Sequence, residues 1–364
     1  MSELISIDGS SGEGGGQILR TSLSLSAITG RPFEIENIRA RRTKPGLRPQ
    51  HLKCVEAMAE VCGAKVRGAA VGSVSLRFEP EELRAGDFVF DIGTAGATGL
   101  VLQTVYLPLS LLDEPSMVSI TGGTHNPFSP CFHYLQEQWL PLMSQSGLCI
   151  SLKLDRLGFY PVGGGKIRAT ISPALPGAVQ LIDRGKLKSF RGVSFIANLD
   201  REIAERQKRR ALRTLGKREG IKAKQIQIET FKAPSAGTAI YLCAEYECGA
   251  RACYFGLGER RKRAEEVGEE AALPMVQFLE SEATVDQFAA DQLMLPLAIA
   301  SGPSEFITAC STEHQRTNAD IIARFVDAKI EIHELESGAS RVRINPGEPS
   351  PPYCPQPSGQ TTAG

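Results

Sequence analysis

"HLKCVEAMAEVCGAKV", residues 51–66, reads as an amphipathic helix, a small break and the start of an alternating strand. The same order returns in "YLQEQWLPLMSQSGLCISLKL", residues 134–154, and again in "NADIIARFVDAKIEIHEL", residues 318–335. The second interval is longer than the first by roughly 100 residues. An insertion ahead of the third copy follows from that spacing, and the composition marks it. From Asp183 onward the chain reads as a strand, then the basic helix "REIAERQKRRALRTL". Two strands follow, then a helix rich in Glu265, Glu266, Glu269 and Glu270. The basic helix is expected to be a solvated face, since its cations alternate with Glu202 and Glu205.

The chain therefore divides into residues 1–183 (two copies of the repeated unit), 184–283 (a small α/β insert), 284–345 (the third copy) and a tail, 346–364. The tail is rich in proline and glycine and is expected to lack order. At 364 residues, 42% apolar and 23% charged, the composition is that of a globular protein. Forty-one basic residues balance forty-one acidic ones, which excludes a global field for long duplex nucleic acid. No apolar run approaches the ~20 residues of a bilayer span, and no secretory leader opens the chain. Nine scattered cysteines, among them Cys54, Cys62, Cys149 and Cys243 in apolar surroundings, read as reduced packing residues of a cytoplasmic protein.

The chemistry concentrates at strand-to-helix junctions. "GSSGEGGGQILR", residues 9–20, sets five glycines around Glu13 and ends on Arg20. Such a loop lets backbone N–H groups approach an anion at a helix start, yet it lacks the Gly-Lys-Ser/Thr of a Walker A loop. "IRARRTKPGLRPQH", residues 38–51, gathers Arg39, Arg41, Arg42, Lys44 and Arg48, a cluster suited to phosphate. "DIGTAGATGLVLQ" (91–103), "GGTHNPFSPCFHY" (122–134) and "GFYPVGGG" (158–165) are further turn-rich junctions. Of five histidines, His333 alternates with apolar neighbours and is expected to face solvent. His125 and His133 lack metal-ligand spacing. His314, in "STEHQRTN", stands ahead of the third-copy helix with Thr317 or Asn318 available as its N-cap. A neutral imidazole there is a competent nucleophile.

Taken in order from Asp8 to Asn318, these stretches together with "VDQFAADQL" and H-x-x-TN resemble the RNA 3′-terminal phosphate cyclase family. The resemblance implies an α/β (α+β) fold: a large domain of repeated β-α-β-α-β-β units with an inserted, thioredoxin-like small domain. It implies an ATP-dependent ligase-type activity that forms a phosphoric ester. A histidine takes AMP from ATP and passes it to an RNA 3′-phosphate, and the 2′-hydroxyl then closes a 2′,3′-cyclic phosphate. His314 matches the nucleophile. Gln103, Pro130 and the run Phe288, Ala289, Ala290, Asp291 and Gln292 match the adenylate pocket. Arg20, Arg39, Arg42, Gln50 and His51 match groups around the phosphates, and Glu13 a carboxylate associated with a divalent metal, Mg or Mn.

The partners implied are RNA 3′-phosphate ends and ATP, with a homodimer within the family's range and no membrane. Phe288 stands where relatives often carry tyrosine or histidine, Ala289 where leucine is usual, and His133 where an acid is common. Two rival readings are a non-catalytic ribosomal-RNA processing relative, which would lack the nucleophile, and an enolpyruvyl-type transferase built from similar units.

Overall fold

A computed structural model describes residues 3–347. The expectation for the tail therefore falls almost wholly outside the described residues. The first unit comprises β1 (Ile5–Asp8), α1 (Gly16–Thr29), β2 (Phe33–Glu36), α2 (Pro49–Cys62), β3 (Lys65–Arg67) and β4 (Leu76–Glu79). β1 and β2 are parallel, and β4 lies antiparallel between β2 and β3, giving the order β1-β2-β4-β3.

The second unit repeats this with β5 (Asp87–Asp91), α3 (Thr98–Ser110) and β6 (Ser116–Gly122). A helical stretch follows, made of α4 (Phe132–Tyr134), a π-turn (Leu135–Trp139) and α5 (Leu140–Gln145). β7 (Cys149–Arg156) and β8 (Gly165–Ser172) complete the order β5-β6-β8-β7.

The third unit opens with the two-residue strand β9 (Gln180–Leu181) and is then interrupted. The insert contains β10 (Leu187–Ala197), α6 (Arg201–Leu215), β11 (Ile226–Phe231), β12 (Gly237–Tyr246), β13 (Arg251–Leu257) and α7 (Ala264–Glu280). The unit resumes with α8 (Gln287–Ala298), β14 (Ser304–Thr308), α9 (Glu313–Phe325), β15 (Lys329–Glu334) and β16 (Ser340–Asn345). β9 pairs parallel to β14, so the order is β9-β14-β16-β15, the pattern of the other two units. The insert thus lies inside the third unit, not ahead of it. A two-residue strand carries too little periodicity to be seen from the sequence.

α1 and α3 pack against each other and against α2, and α1 also meets α9. From Gln17 to Thr29 every residue of α1 but Arg20 is buried, which places three serines inside a core. Each hydroxyl donates to a carbonyl: Ser22 to Ile18 (2.7 Å), Ser24 to Thr104 (2.7 Å) and Ser26 to Arg31 (2.6 Å). Buried hydroxyls are tolerated only when paired in this way. Leu19, Leu23, Leu25 and Ile28 fill the remaining space, each contributing about 1.5–3 kcal/mol by burial.

The insert's sheet runs β11-β10-β12-β13, with β10 and β11 parallel and the other pairs antiparallel. Side chains of β12 alternate between two cores, as a strand's period of two requires. Ile240, Leu242 and Ala244 share a core with residues of α6 and α7, whereas Ala239, Tyr241 and Cys243 pack with Tyr134, Leu157 and Phe159 of the second unit. Cys243 and Cys253 face each other in register, their sulfurs 2.8 Å apart, in the same buried group as Cys131. Cys149 and Cys248, by contrast, are exposed and are not packing residues.

The basic helix α6 is neutralised chiefly by the acidic helix α7 rather than by its own glutamates. Arg206 grips Glu265 with two bonds of 2.8 Å, and Arg210 meets Glu269 at 2.6 Å. These pairs are part-exposed, so each is expected to contribute below about 1 kcal/mol. Replacing Arg206 and Arg210 by alanine together should lower the melting temperature slightly and leave chemistry at the site described next unchanged. A thermal melt and an activity assay on one preparation check both. Among the described residues no helix is long and apolar enough to cross a membrane.

Candidate active site

The glycine loop, the starts of α1, α2, α8 and α9, the arginine loop and residues 127–130 converge on one cavity of about 880 Å³. Glu13, Arg20, Arg39, Arg42, Gln50 and His51 line it, as do Gln103, Pro130, Phe288, Asp291, Gln292 and His314. Ala289 and Ala290 do not. They are buried in the main core, and the Ala289 N–H donates to Asp286 (2.9 Å) at the α8 N-cap. Their contribution is to seat α8 so that Phe288, Asp291 and Gln292 point outward to the cavity.

His314 lies inside the first turn of α9, not ahead of it. The N-cap is Thr312, whose hydroxyl accepts from the Gln315 N–H at 3.2 Å, while Gln315 reaches back to the Thr312 N–H. This is a capping box. Thr317 and Asn318 are thereby free for long-range work on the face they share with His314. The Thr317 hydroxyl accepts from the Glu13 N–H (3.0 Å), tying the glycine loop to α9. Asn318 accepts from the Thr21 hydroxyl (2.7 Å) and donates to the Asp291 carbonyl (3.0 Å), tying α9 to α1 and α8.

Glycine is required at two points of this clamp. Gly12 sits at φ +52°, and a Cβ there would come within 2.1 Å of the Thr317 hydroxyl oxygen. A Cβ on Gly16 would come within 2.5 Å of His51 Nε2. The loop so held places Glu13 with one carboxylate oxygen 3.5 Å from His314 Nε2 and in an ion pair with Arg42. Both carboxylate oxygens are buried; Oε1 is the one that Arg42 contacts, whereas Oε2, like the Asp291 Oδ1, has no partner.

The electrostatics disfavour protonation of both imidazoles. Partial burial lowers the pKa of half-exposed His314, aided by Arg20 and Arg42 and opposed by Asp291. Burial raises that of Asp291, against the pull of His314 and Arg20. His51 is driven down to about 3, first by burial and then by Arg20, Arg39 and Arg48, and its Nδ1 accepts from the Arg48 N–H (3.3 Å). Gln50 accepts from the Ala97 N–H (3.1 Å), which docks the second glycine-rich passage. The Gln103 side-chain nitrogen is buried and unpaired.

Arg39 partly serves its own loop, donating to the Lys44 and Gly46 carbonyls at 2.8 and 2.9 Å. Arg41 is turned away to the Gly12 carbonyl (2.8 Å). Lys44 and Arg48 join Arg39 and Arg42 at the cavity. Buried His125 and half-buried His133 lie elsewhere, packed against the insert with ring nitrogens 2.9 Å apart, and desolvation lowers His133 to about 4. His333 is exposed on β15. Sequence reasoning did not single out Phe128. It lines the cavity between Pro127 and Pro130, and an aromatic ring amid turn residues was the available signal.

The family model for RNA 3′-terminal phosphate cyclase matches residues 11–332. The chain belongs to the RNA 3′-terminal phosphate cyclase family. Curated members of that cyclase family include one from Ralstonia nicotianae, 42% identical over 94% of this chain and 97% of its own length. Those from Methylococcus capsulatus (43% over 95% and 98%) and Sulfurisphaera tokodaii (45% over 90% and 96%) align as fully. A solved enolpyruvyl transferase from Streptomyces tendae aligns with 46% of this chain and 33% of its own, at 14% identity and a TM-score of 0.25.

Proposed function

We propose that this chain uses ATP to convert an RNA 3′-terminal phosphate into a 2′,3′-cyclic phosphate, with AMP carried on His314. The observation behind this reading is a half-exposed imidazole, its protonation disfavoured by burial, on the first turn of α9 in a cavity lined by Arg20, Arg39, Arg42 and Arg48. His314 attacks the α-phosphorus of ATP, and pyrophosphate leaves. The RNA 3′-phosphate takes AMP from the histidine, and the vicinal 2′-hydroxyl attacks the activated phosphorus and expels AMP. Phosphoryl transfer of this kind needs positioning and charge neutralisation more than covalent assistance. The guanidinium groups supply much of the neutralisation, and Phe288 offers a ring face to adenine beside Pro130.

The donor set also suits a divalent cation. Glu13 offers a buried carboxylate whose Oε2 has no partner, its Oε1 being paired with Arg42, and a small cation is commonly held by one carboxylate plus substrate phosphates. Bound there, Mg or Mn would offset charge on the departing pyrophosphate. Glu13 also faces the His314 ring nitrogen at 3.5 Å, and Arg42 pairs with Glu13. The eight described cysteines are free thiols, which fits a reducing cytoplasm.

The deciding experiment is incubation with α-phosphate-labelled ATP and a divalent metal, without RNA. Covalent label on the protein, followed by AMP release and cyclic ends when 3′-phosphate RNA is added, supports the reading. Absence of label and of ATP turnover overturns it. Both a ribosomal-RNA processing role without catalysis and an enolpyruvyl-type transfer predict that absence.

The pH dependence follows from the lowered pKa of His314. Only the neutral ring attacks, so self-adenylation should persist below the ordinary imidazole value of ~6.5 and fall as acidification protonates His314. His51 adds a separate stability effect. The unfolded chain takes up its proton near pH 6.5 and the folded chain only near 3, so stability declines as pH falls between those values. Initial rates of label incorporation beside a circular-dichroism pH titration separate the two.

A further inference from the structure

We propose that Phe128 is a stacking platform for a base of the RNA 3′ end, acting on RNA and not on ATP. The inference rests on the cyclase reading above and specifies how that site would grip its polymer substrate. Phe128 is the most exposed large apolar residue among those described, at 103% relative exposure, and it stands on the wall of the reactive cavity. Its backbone is at φ +59°, a left-handed conformation that a bulky residue seldom adopts. Outliers of this kind cluster where function needs a fixed side chain.

The loop that carries the ring is anchored on both sides. The Asn126 side chain donates to the Ala95 carbonyl, and the His125 N–H donates to Gly158 (3.2 Å). On the far side the Phe132 N–H donates to Thr124 (2.9 Å), and Pro127 and Pro130 stiffen the span.

Charge identifies the occupant. Arg39, Arg42, Lys44 and Arg48 line the same cavity and suit a run of phosphates. Its volume of about 880 Å³ is near the top of the ~300–1,000 Å³ range for one small ligand, leaving space beyond a single adenylate. A second ring, Phe288, stands on α8 beside Asp291 and Gln292 and already offers a face for adenine. A cationic wall with a spare aromatic face is the combination by which proteins hold single-stranded nucleic acid, and it tolerates any base because every base has a π-face.

The test uses the full chain and a short single-stranded RNA bearing a 3′-phosphate. Phe128→Ala should self-adenylate at the wild-type rate and lose about 5- to 100-fold in kcat/KM for the RNA, mostly through KM. Phe128→Tyr and Phe128→Trp should stay near wild type, and Phe128→Leu should fall between. Abasic nucleotides introduced singly near the 3′ end should include one position at which wild type and Phe128→Ala become equal. Equal RNA kinetics for Phe128→Ala and wild type would overturn the proposal while leaving the cyclase reading intact. A matching loss of self-adenylation would place the ring on ATP and overturn it as well. A wild-type protein that takes up no label would overturn both.

Discussion

His314→Ala should give a folded protein that no longer takes label from α-phosphate-labelled ATP, a loss of at least about 10³-fold. The same protein should still close the cyclic phosphate on RNA supplied with its 3′-phosphate already adenylylated. Removing the nucleophile abolishes the first transfer, whereas the last step needs only the substrate's own 2′-hydroxyl and the cationic walls of the cavity. Folding should survive. The side chain is half-exposed, its charge contact is with Glu13 at 3.5 Å, and α9 is capped by Thr312 and Gln315. Such substitutions usually stay within about 0.5 kcal/mol. Peptide mapping of the labelled wild type decides the carrier. His125 and His133 pack against each other and the insert and do not line the cavity, so His51 is the one histidine rival within it. Its Nδ1 is engaged by the Arg48 N–H, and AMP found on it, or on a lysine, would refute the assignment. Bond chemistry gives a second check, since a phosphoramidate is released by acid and persists in alkali.

The three repeated units were legible because each contains a long helix followed by an alternating strand, the two patterns that periodicity reports best. That the insert interrupts the third unit was not, since β9 has two residues and is recognised only by its pairing with β14. The α9 start was misread for a physical reason. Thr317 and Asn318 are good cap residues, yet both side chains are spent on contacts to α1, α8 and the glycine loop. The Thr312–Gln315 capping box was present in the sequence and marks the true start. The helix period divides the run 288–292: Phe288, Asp291 and Gln292 face the cavity, and Ala289 and Ala290 face the core. The Glu13–Arg42 contact joins two loops far apart in sequence, which spacing cannot reveal.

Gly12→Ala should lower self-adenylation about 10²-fold without unfolding the protein. Two effects act together. Alanine at φ +52° costs about 1–2 kcal/mol of backbone energy, and its methyl would lie 2.1 Å from the Thr317 hydroxyl oxygen. The loop must therefore lift away from α9, breaking the bond from the Glu13 N–H to that hydroxyl (3.0 Å). Glu13 moves with it, and so does the carboxylate that faces His314 Nε2. Displacements near 1 Å in a reacting constellation are enough for losses of this size. The stability cost should be about 1–3 kcal/mol, since one hydrogen bond is lost and one residue strained. A double mutant distinguishes the clamp from a general loosening. Adding Thr317→Ala removes the obstructing oxygen, so Gly12→Ala/Thr317→Ala should recover part of the rate lost in Gly12→Ala. Thr317→Ala alone should lose less than Gly12→Ala, because the loop then keeps its path and lacks only one tether. If the two substitutions instead multiply, each lowering the rate by its own factor, Gly12 and Thr317 act independently, and the contact between them does not set the position of Glu13.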